Sequence, residues 1–256
     1  MKAVRTVKAV RTVHPIEAQS YRLLRQAVDT THLPRRTRDV VERIVHTTAD
    51  PSWLSDLVTD EAALEAGAVA LAAGAPLVVD AAMVGAGITR YPSVCLVAAP
   101  ETARLAEERG LTRSAAGIRL AATQAGGATT APTGGASTAD GAVGDGAVRD
   151  GAASDGAVRD GAVRDGAVSD GAVCDGAVWA VGNAPTALAE LLRLAEAGIV
   201  RPALVIGVPV GYVGAAEAKA ALRATGLPSL TNRSARGGSA IAAAAVNALL
   251  YGDPLS

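Results

Sequence analysis

Apolar positions change their period along the chain, and the changes mark out elements. From Pro15 to Val28 and from Pro34 to about His46 they recur at helical spacing, and each run opens on a proline, whose fixed φ suits a first helical turn. An alanine-rich run from about Asp60 to Ala73 predicts a third helix, stopped by Gly74. Short continuous apolar runs follow at Leu77–Asp80, Val94–Ala98, Val178–Val181 and Leu204–Ile206, each leading through a glycine-containing turn into a helical stretch. Runs of that length read as strands buried on both faces, and their alternation with helices predicts parallel βαβ units. The expected fold class is α/β: a doubly wound, mainly parallel sheet with helices on both faces, whose ligands sit at the carboxyl ends of the strands.

Two stretches break this pattern. Lys2–Val7 is repeated as Lys8–Val13, with basic residues at every third position. No apolar run of signal-peptide length follows, so residues 1–13 read as a duplicated, loosely ordered extension. Eight copies of Asp-Gly-Ala-Val-x begin at Asp140 and end at Trp179, with Ala153 replacing the valine once. A period of five fits neither helix nor strand, and one valine per copy is too little apolar surface to offset the entropy of ordering. With the Gly/Thr/Ala-rich run before them, these copies form a low-complexity insertion over residues 123–174; a pentapeptide solenoid or a calcium-binding repeat is the alternative. The folded domain is then expected from residues 14–122 and 175–256.

Composition narrows the function classes. Half of the 256 residues are hydrophobic, but there are two Trp, four Tyr and no Phe, so alanine, valine and glycine must build the core. A formal net charge of −1 gives no field to hold a nucleic-acid backbone, and so few aromatics make a poor stacking platform for single strands. Cys95 and Cys174 fit neither a disulfide scaffold nor a zinc motif, which points to a reducing, cytoplasmic setting. Cys95 lies inside a strand candidate and reads as core. The longest apolar stretches, 66–79 and 241–250, fall short of the roughly 20 residues that span a bilayer, so no membrane association is expected.

Candidate chemistry gathers at strand ends and on one helix. Three turns are rich in small residues: Gly182-Asn183-Ala184-Pro185-Thr186, Gly207 to Gly211 leading on to Gly214, and Arg236-Gly237-Gly238-Ser239. Glycines let a ligand approach the backbone, and free N–H groups at a following helix start favour carboxylate or phosphate. Together the turns suggest an anion-binding rim; individually each is also an ordinary tight turn. On the helix opened by Pro34, Val40, Val41, Ile44 and Val45 form the buried stripe, and His46 lies opposite its centre with Arg35, Asp39 and Glu42. That face is either simply solvated, or it holds an imidazolium favoured by Glu42 one turn back and by the helix C-terminus, able to act as a general acid. His14 and His32 stand beside prolines at element ends and read as surface residues.

Six segments, in order and spacing, resemble the precorrin-8X methylmutase family: Val41–Thr48 with His46, Ala73–Asp80 with Met83-Val84, Thr112–Ala116, Gly182–Leu188, Gly207–Glu217 and Arg236–Ala240. The resemblance runs from about His14 to Leu250 around the insertion. It implies an isomerase of cobalamin biosynthesis that moves a methyl group from ring carbon 11 to carbon 12 of precorrin-8X or cobalt-precorrin-8, giving hydrogenobyrinic or cobyrinic acid. It matches the family's catalytic histidine to His46 and implies a corrinoid partner, a homodimer, and neither cofactor nor metal. The acetate and propionate arms of such a substrate suit a rim carrying Arg113, Ser114, Gly182, Asn183, Gly207, Gly211, Arg233, Arg236, Gly237 and Gly238. The alanine-rich helix from Ser239 to Leu250, small on all sides, suits close packing between subunits. Two other readings compete: a corrinoid carrier of the same fold, which binds without turnover, and a dinucleotide-dependent oxidoreductase, for which the glycine fingerprint is missing.

Overall fold

The computed structural model describes residues 13–124 and 175–255. The chain enters through α1 (Pro15–Ala27) and α2 (Arg35–Thr48), then a short α3 (Trp53–Asp56), β1 (Leu57–Thr59) and α4 (Glu61–Ala72). Asp60 caps α4 by accepting from the Ala63 N–H at 2.8 Å, and Gly74 leaves it at φ +83°. Next come β2 (Leu77–Val79), α5 (Ala82–Gly87), α6 (Pro100–Arg109) and α7 (Arg113–Gln124). The second half alternates β3 (Val178–Val181), α8 (Pro185–Glu196), β4 (Leu204–Gly207), α9 (Ala215–Ala224), β5 (Ser229–Asn232) and α10 (Ser239–Tyr251). The expected extension and pentapeptide insertion lie outside the described residues, except that Val13 is described and that Thr123 and Gln124 belong to α7.

The sheet runs in the order β1-β5-β4-β3-β2. From β2 to β5 the neighbours are parallel, and β1 pairs antiparallel with β5. Two layers of helix cover it, as the period of two in the strands requires. Leu77, Val79, Val178, Ala180, Leu204 and Ile206 pack on one side with α2, α4 and α10. Val78, Trp179, Val181 and Val205 pack on the other with α7, α8 and α9.

Three expectations are corrected. The segment 94–98 forms no strand: it makes one parallel bridge, Val78 to Val94, then turns at Leu96–Ala99 before Pro100 opens α6. Pro92 and Pro100 bracket it too closely for a ladder to continue. Strands β1 and β5 escape a search for apolar runs because they are short and, in β5, mostly polar: Ser229, Thr231 and Asn232. The small surface of α10 is spent inside the chain, where Ala242 to Ala245 and Ala248 are buried against α2, α4, α5 and the sheet, so it supplies no free face for a subunit contact.

Candidate active site

His46 sits near the end of α2, half-buried under α1. Its ring stacks on Tyr21 with centroids 4.7 Å apart, and its Nδ1 lies 2.9 Å from the Ser20 hydroxyl. Arg43 lies over the other contributor to this stack, 5.5 Å from the Tyr21 ring centroid, and pairs with Glu17 at 3.3 Å. Burial pushes the imidazole pKa below its ordinary value, the Arg43 charge pushes it the same way, and Glu17 opposes them. The expectation of an imidazolium stabilised by Glu42 is therefore overturned. Glu42 is buried and turned toward another helix, where it accepts from Arg25 at 2.7 Å and from the Thr30 hydroxyl at 2.6 Å. Asp39 is buried as well, so this face of α2 is a packed interface rather than a solvated one. Beside the histidine opens a cleft of about 270 Å³, mostly apolar, walled by Leu23, Leu24 and Ala27 of α1 and by Ala49 and Pro51 beyond α2.

The glycine turns assemble at the carboxyl ends of β3, β4 and β5. A Cβ on Gly182 would lie 2.8 Å from the Ala242 Cβ and 3.0 Å from the Gly238 carbonyl oxygen, so the turns after β3 and before α10 are back to back. Gly237 passes beneath the carbonyls of Val208 and Pro209, where any Cβ would collide, and Gly238 donates to the Val208 carbonyl at 2.9 Å with φ +133°. Gly211 donates to the Ala235 carbonyl at 3.3 Å. Gly207 has a packing reason instead, since a Cβ there would lie 2.5 Å from Leu222 Cδ2.

In the turn before α8 the N–H groups are already engaged. Gly182 donates to one oxygen of Asp80 at 3.0 Å, and Asn183 and the N-cap residue Ala184 donate to the other at 2.9 and 2.7 Å. The anion in this turn is the protein's own, and what the turn offers outward is the exposed Asn183. The arginines divide similarly. Arg236 lies 4.6 Å over the Trp53 ring and pairs with Asp50 at 2.5 Å and Asp56 at 3.1 Å. Arg233 donates to the carbonyls of Ser55 and Leu57. Arg113, by contrast, is exposed at the start of α7 beside half-buried Ser114, and Thr112 before it bonds Thr186 of α8 at 2.7 Å. Beneath the turn that follows β5, Lys219, wholly buried, donates to Asn232 Oδ1 and to the carbonyls of Ser234 and Arg236. Its burial lowers the pKa to about 8, against the pull of Asp56.

Comparison with known proteins fits this geometry to a family. The sequence profile described as CbiC, precorrin-8X methylmutase, matches residues 15–143 and 136–252. The chain belongs to the precorrin-8X methylmutase family. Among relatives, the precorrin-8X methylmutase of Pseudomonas aeruginosa is 32% identical over 248 residues, 94% of this chain and 96% of that protein. The cobalt-precorrin-8 methylmutase of Methanothermobacter thermautotrophicus is 32% identical over 211 residues, 82% of this chain and 78% of that one. The solved structure of precorrin-8X methylmutase from Thermus thermophilus superposes with a TM-score of 0.67 at 28% identity, covering 92% of this chain and 96% of that one. As a methylmutase the chain is an enzyme of the isomerase class.

Within this methylmutase, Gly182, Asn183, Gly237 and Gly238 come together, and Arg113 joins them through Thr112 and α8. His46 stands apart, linked to the rim through the end of α2: Ala49 and Pro51 wall its cleft, and Asp50 between them holds Arg236, next to Gly237. Sequence reading missed Ser20, Tyr21 and Arg43 around the histidine, and Asp80 and Lys219 behind the turns. Asp80 had a signal, a carboxylate closing the apolar run Leu77–Val79, where burial demands a partner.

Proposed function

We propose that this methylmutase moves a methyl group from ring carbon 11 to carbon 12 of precorrin-8X, or of its cobalt form, in cobalamin biosynthesis, with His46 as general acid. The observation that carries the reading is the cleft beside His46, whose Nδ1 is engaged by Ser20 and whose Nε2 has no hydrogen-bond partner among the described residues. When the Ser20 hydroxyl accepts from Nδ1–H in the imidazolium, Nε2–H is the proton left for a ligand in the cleft. Protonating a ring nitrogen of the macrocycle draws electron density from the migration terminus. The bond from the methyl to carbon 11 then breaks as the bond to carbon 12 forms. The proton returns to Nε2 afterwards, so substrate and product have one composition. A lowered histidine pKa makes the imidazolium a stronger acid but a scarcer one, so the rate falls as pH rises through that pKa.

Carboxylate arms of the substrate are held by Arg113, which has no ion-pair partner among the described residues, with Ser114, the Asn183 side chain and the close backbone approach at Gly237 and Gly238. Arg233 and Arg236 serve by shaping the turn that bears those glycines. The cleft of about 270 Å³ lies just below the range of about 300–1,000 Å³ usual for small-molecule sites, and a tetrapyrrole needs the upper part of that range. A second copy of the chain completes it.

The test is precorrin-8X turnover followed by visible absorbance, with His46→Ala beside the unaltered protein. The variant should lose about 100- to 10,000-fold in rate while binding product within a few-fold, since the arms are held elsewhere. Turnover by the variant within a few-fold of the unaltered protein would remove His46 from the chemistry. Product binding without any turnover by the unaltered protein would make it a carrier.

A further inference from the structure

Asp80 has no part in the chemistry above, yet its carboxylate is 2% exposed at the rim. It follows β2 directly and reaches across to the turn after β3, where it accepts three consecutive N–H groups, those of Gly182, Asn183 and the α8 N-cap residue Ala184. We propose that Asp80 is a positioning residue, an internal anion that fills the turn leading into α8 so that substrate meets this turn through the Asn183 side chain and not through its peptide N–H groups. The inference rests on the reading that carboxylate arms bind at this rim.

Three observations support it. Three successive N–H groups converging in a turn attract carboxylates, and a substrate bearing several arms would be seized there in a wrong register were the place vacant. The turn has no acceptor of its own, because Ala184 stands at the N-cap position with no polar side chain, and its N–H is held by Asp80. Gly182 is also wedged against Gly238 and the start of α10, so the position Asp80 imposes on one turn is passed to the other. Burial pushes the Asp80 pKa up, and the three N–H groups pull against it, which suits a carboxylate kept for its hydrogen bonds.

The experiment uses Asp80→Ala in the full chain, with and without formate at tens of millimolar, and sodium chloride at equal ionic strength as control. Without formate, KM for precorrin-8X should rise about ten- to a hundred-fold, a cost typical of misplaced binding groups, with a smaller fall in kcat. Formate can supply the missing carboxylate, so it should recover most of the loss, whereas chloride should not. Independently of turnover, the amide resonances of Gly182, Asn183 and Ala184 should move in the variant and return toward their original positions with formate. That arm stands even if the unaltered protein fails to turn over precorrin-8X, an outcome that would defeat the functional reading instead. Unchanged KM in Asp80→Ala, or a loss that formate relieves in neither rate nor resonances, would overturn the proposal. If Asp80→Ala does not fold, Asp80→Asn sets an amide N–H against a backbone N–H, and it should show the same rise in KM; a KM equal to that of the unaltered protein would overturn the proposal equally.

Discussion

At the scale of single residues, His46 is governed by groups that lie far from it in sequence. Burial under α1 and the Arg43 charge keep its ring neutral at higher acidity than usual, and Glu17 is the counterweight. Replacing Arg43 with glutamine removes the cation and breaks its 3.3 Å ion pair with Glu17, and both changes favour the imidazolium. The Arg43→Gln variant should therefore show a higher His46 pKa, read from imidazole proton shifts across a pH series, and the alkaline fall in turnover should move up with it. An unmoved titration would mean that burial alone sets the value. The sequence reveals the histidine, its helix and the buried stripe opposite, because all three follow from spacing within one helix. It misleads on Glu42, whose partners Arg25 and Thr30 lie on and just beyond a different helix: a carboxylate one turn away is a neighbour only if nothing nearer claims it. Asp80 repeats the lesson, since its three donors come from residues about a hundred positions later.

Among elements, helix ends are completed from outside. Pro34 stands at the N-cap of α2 without a side-chain bond, and Glu61 of α4 accepts instead from the N–H groups of Arg36 and Thr37 at 2.8 and 2.9 Å. At α8 Asp80 does a related thing one step earlier, holding the N–H groups of the turn that leads in, from Gly182 to the N-cap Ala184. Caps of this kind tie two elements at once, so their loss loosens packing as well as a helix start. Replacing Glu61 with alanine should cost about 1–2 kcal/mol, in the upper range for a lost cap, measured by urea unfolding near neutral pH. Burial alone would raise the Glu61 pKa, but the two N–H groups and the Thr37 hydroxyl hold it below the ordinary glutamate value. A depressed folded-state pKa contributes stability that is present above the unfolded-state value and lost as pH falls through the folded one. The gap between variant and unaltered protein should accordingly narrow below the ordinary glutamate range, and a constant gap would assign the loss to packing. Helices α1, α2 and α4 are legible from periodicity and prolines. Strand β5 is not, because its polar residues are satisfied by partners the pattern cannot reveal: Thr231 donates to the Gly207 carbonyl, and Asn232 donates to Asp56 while accepting from Lys219.

For the whole molecule, the question is what covers the apolar surface around the cleft. Helix α1 leaves Ile16 71% and Leu23 57% exposed, two turns apart on one face, with Ser20 between them and Leu23 walling the cleft beside His46. The turn after β4 leaves Tyr212 and Val213 nearly bare. The sequence suggests α10 as the subunit contact because its residues are small, but they are small to let it pass between α2 and the sheet. Burial of a small-residue helix inside one chain and between two chains has the same composition, so composition alone does not separate them. An exposed apolar stripe that borders an undersized cleft is the stronger sign, since covering it offsets the cost of exposure and encloses ligand together. Light scattering at micromolar concentration should therefore give twice the chain mass. Leu23→Glu places a charge on the stripe, which burial would leave unpaired, so this variant should shift toward monomer and lose affinity for the corrinoid product together. A monomeric unaltered protein would refute the dimer outright. A dimeric Leu23→Glu variant with intact product affinity would move the interface away from α1, and the turn bearing Tyr212 would then be the surface to alter.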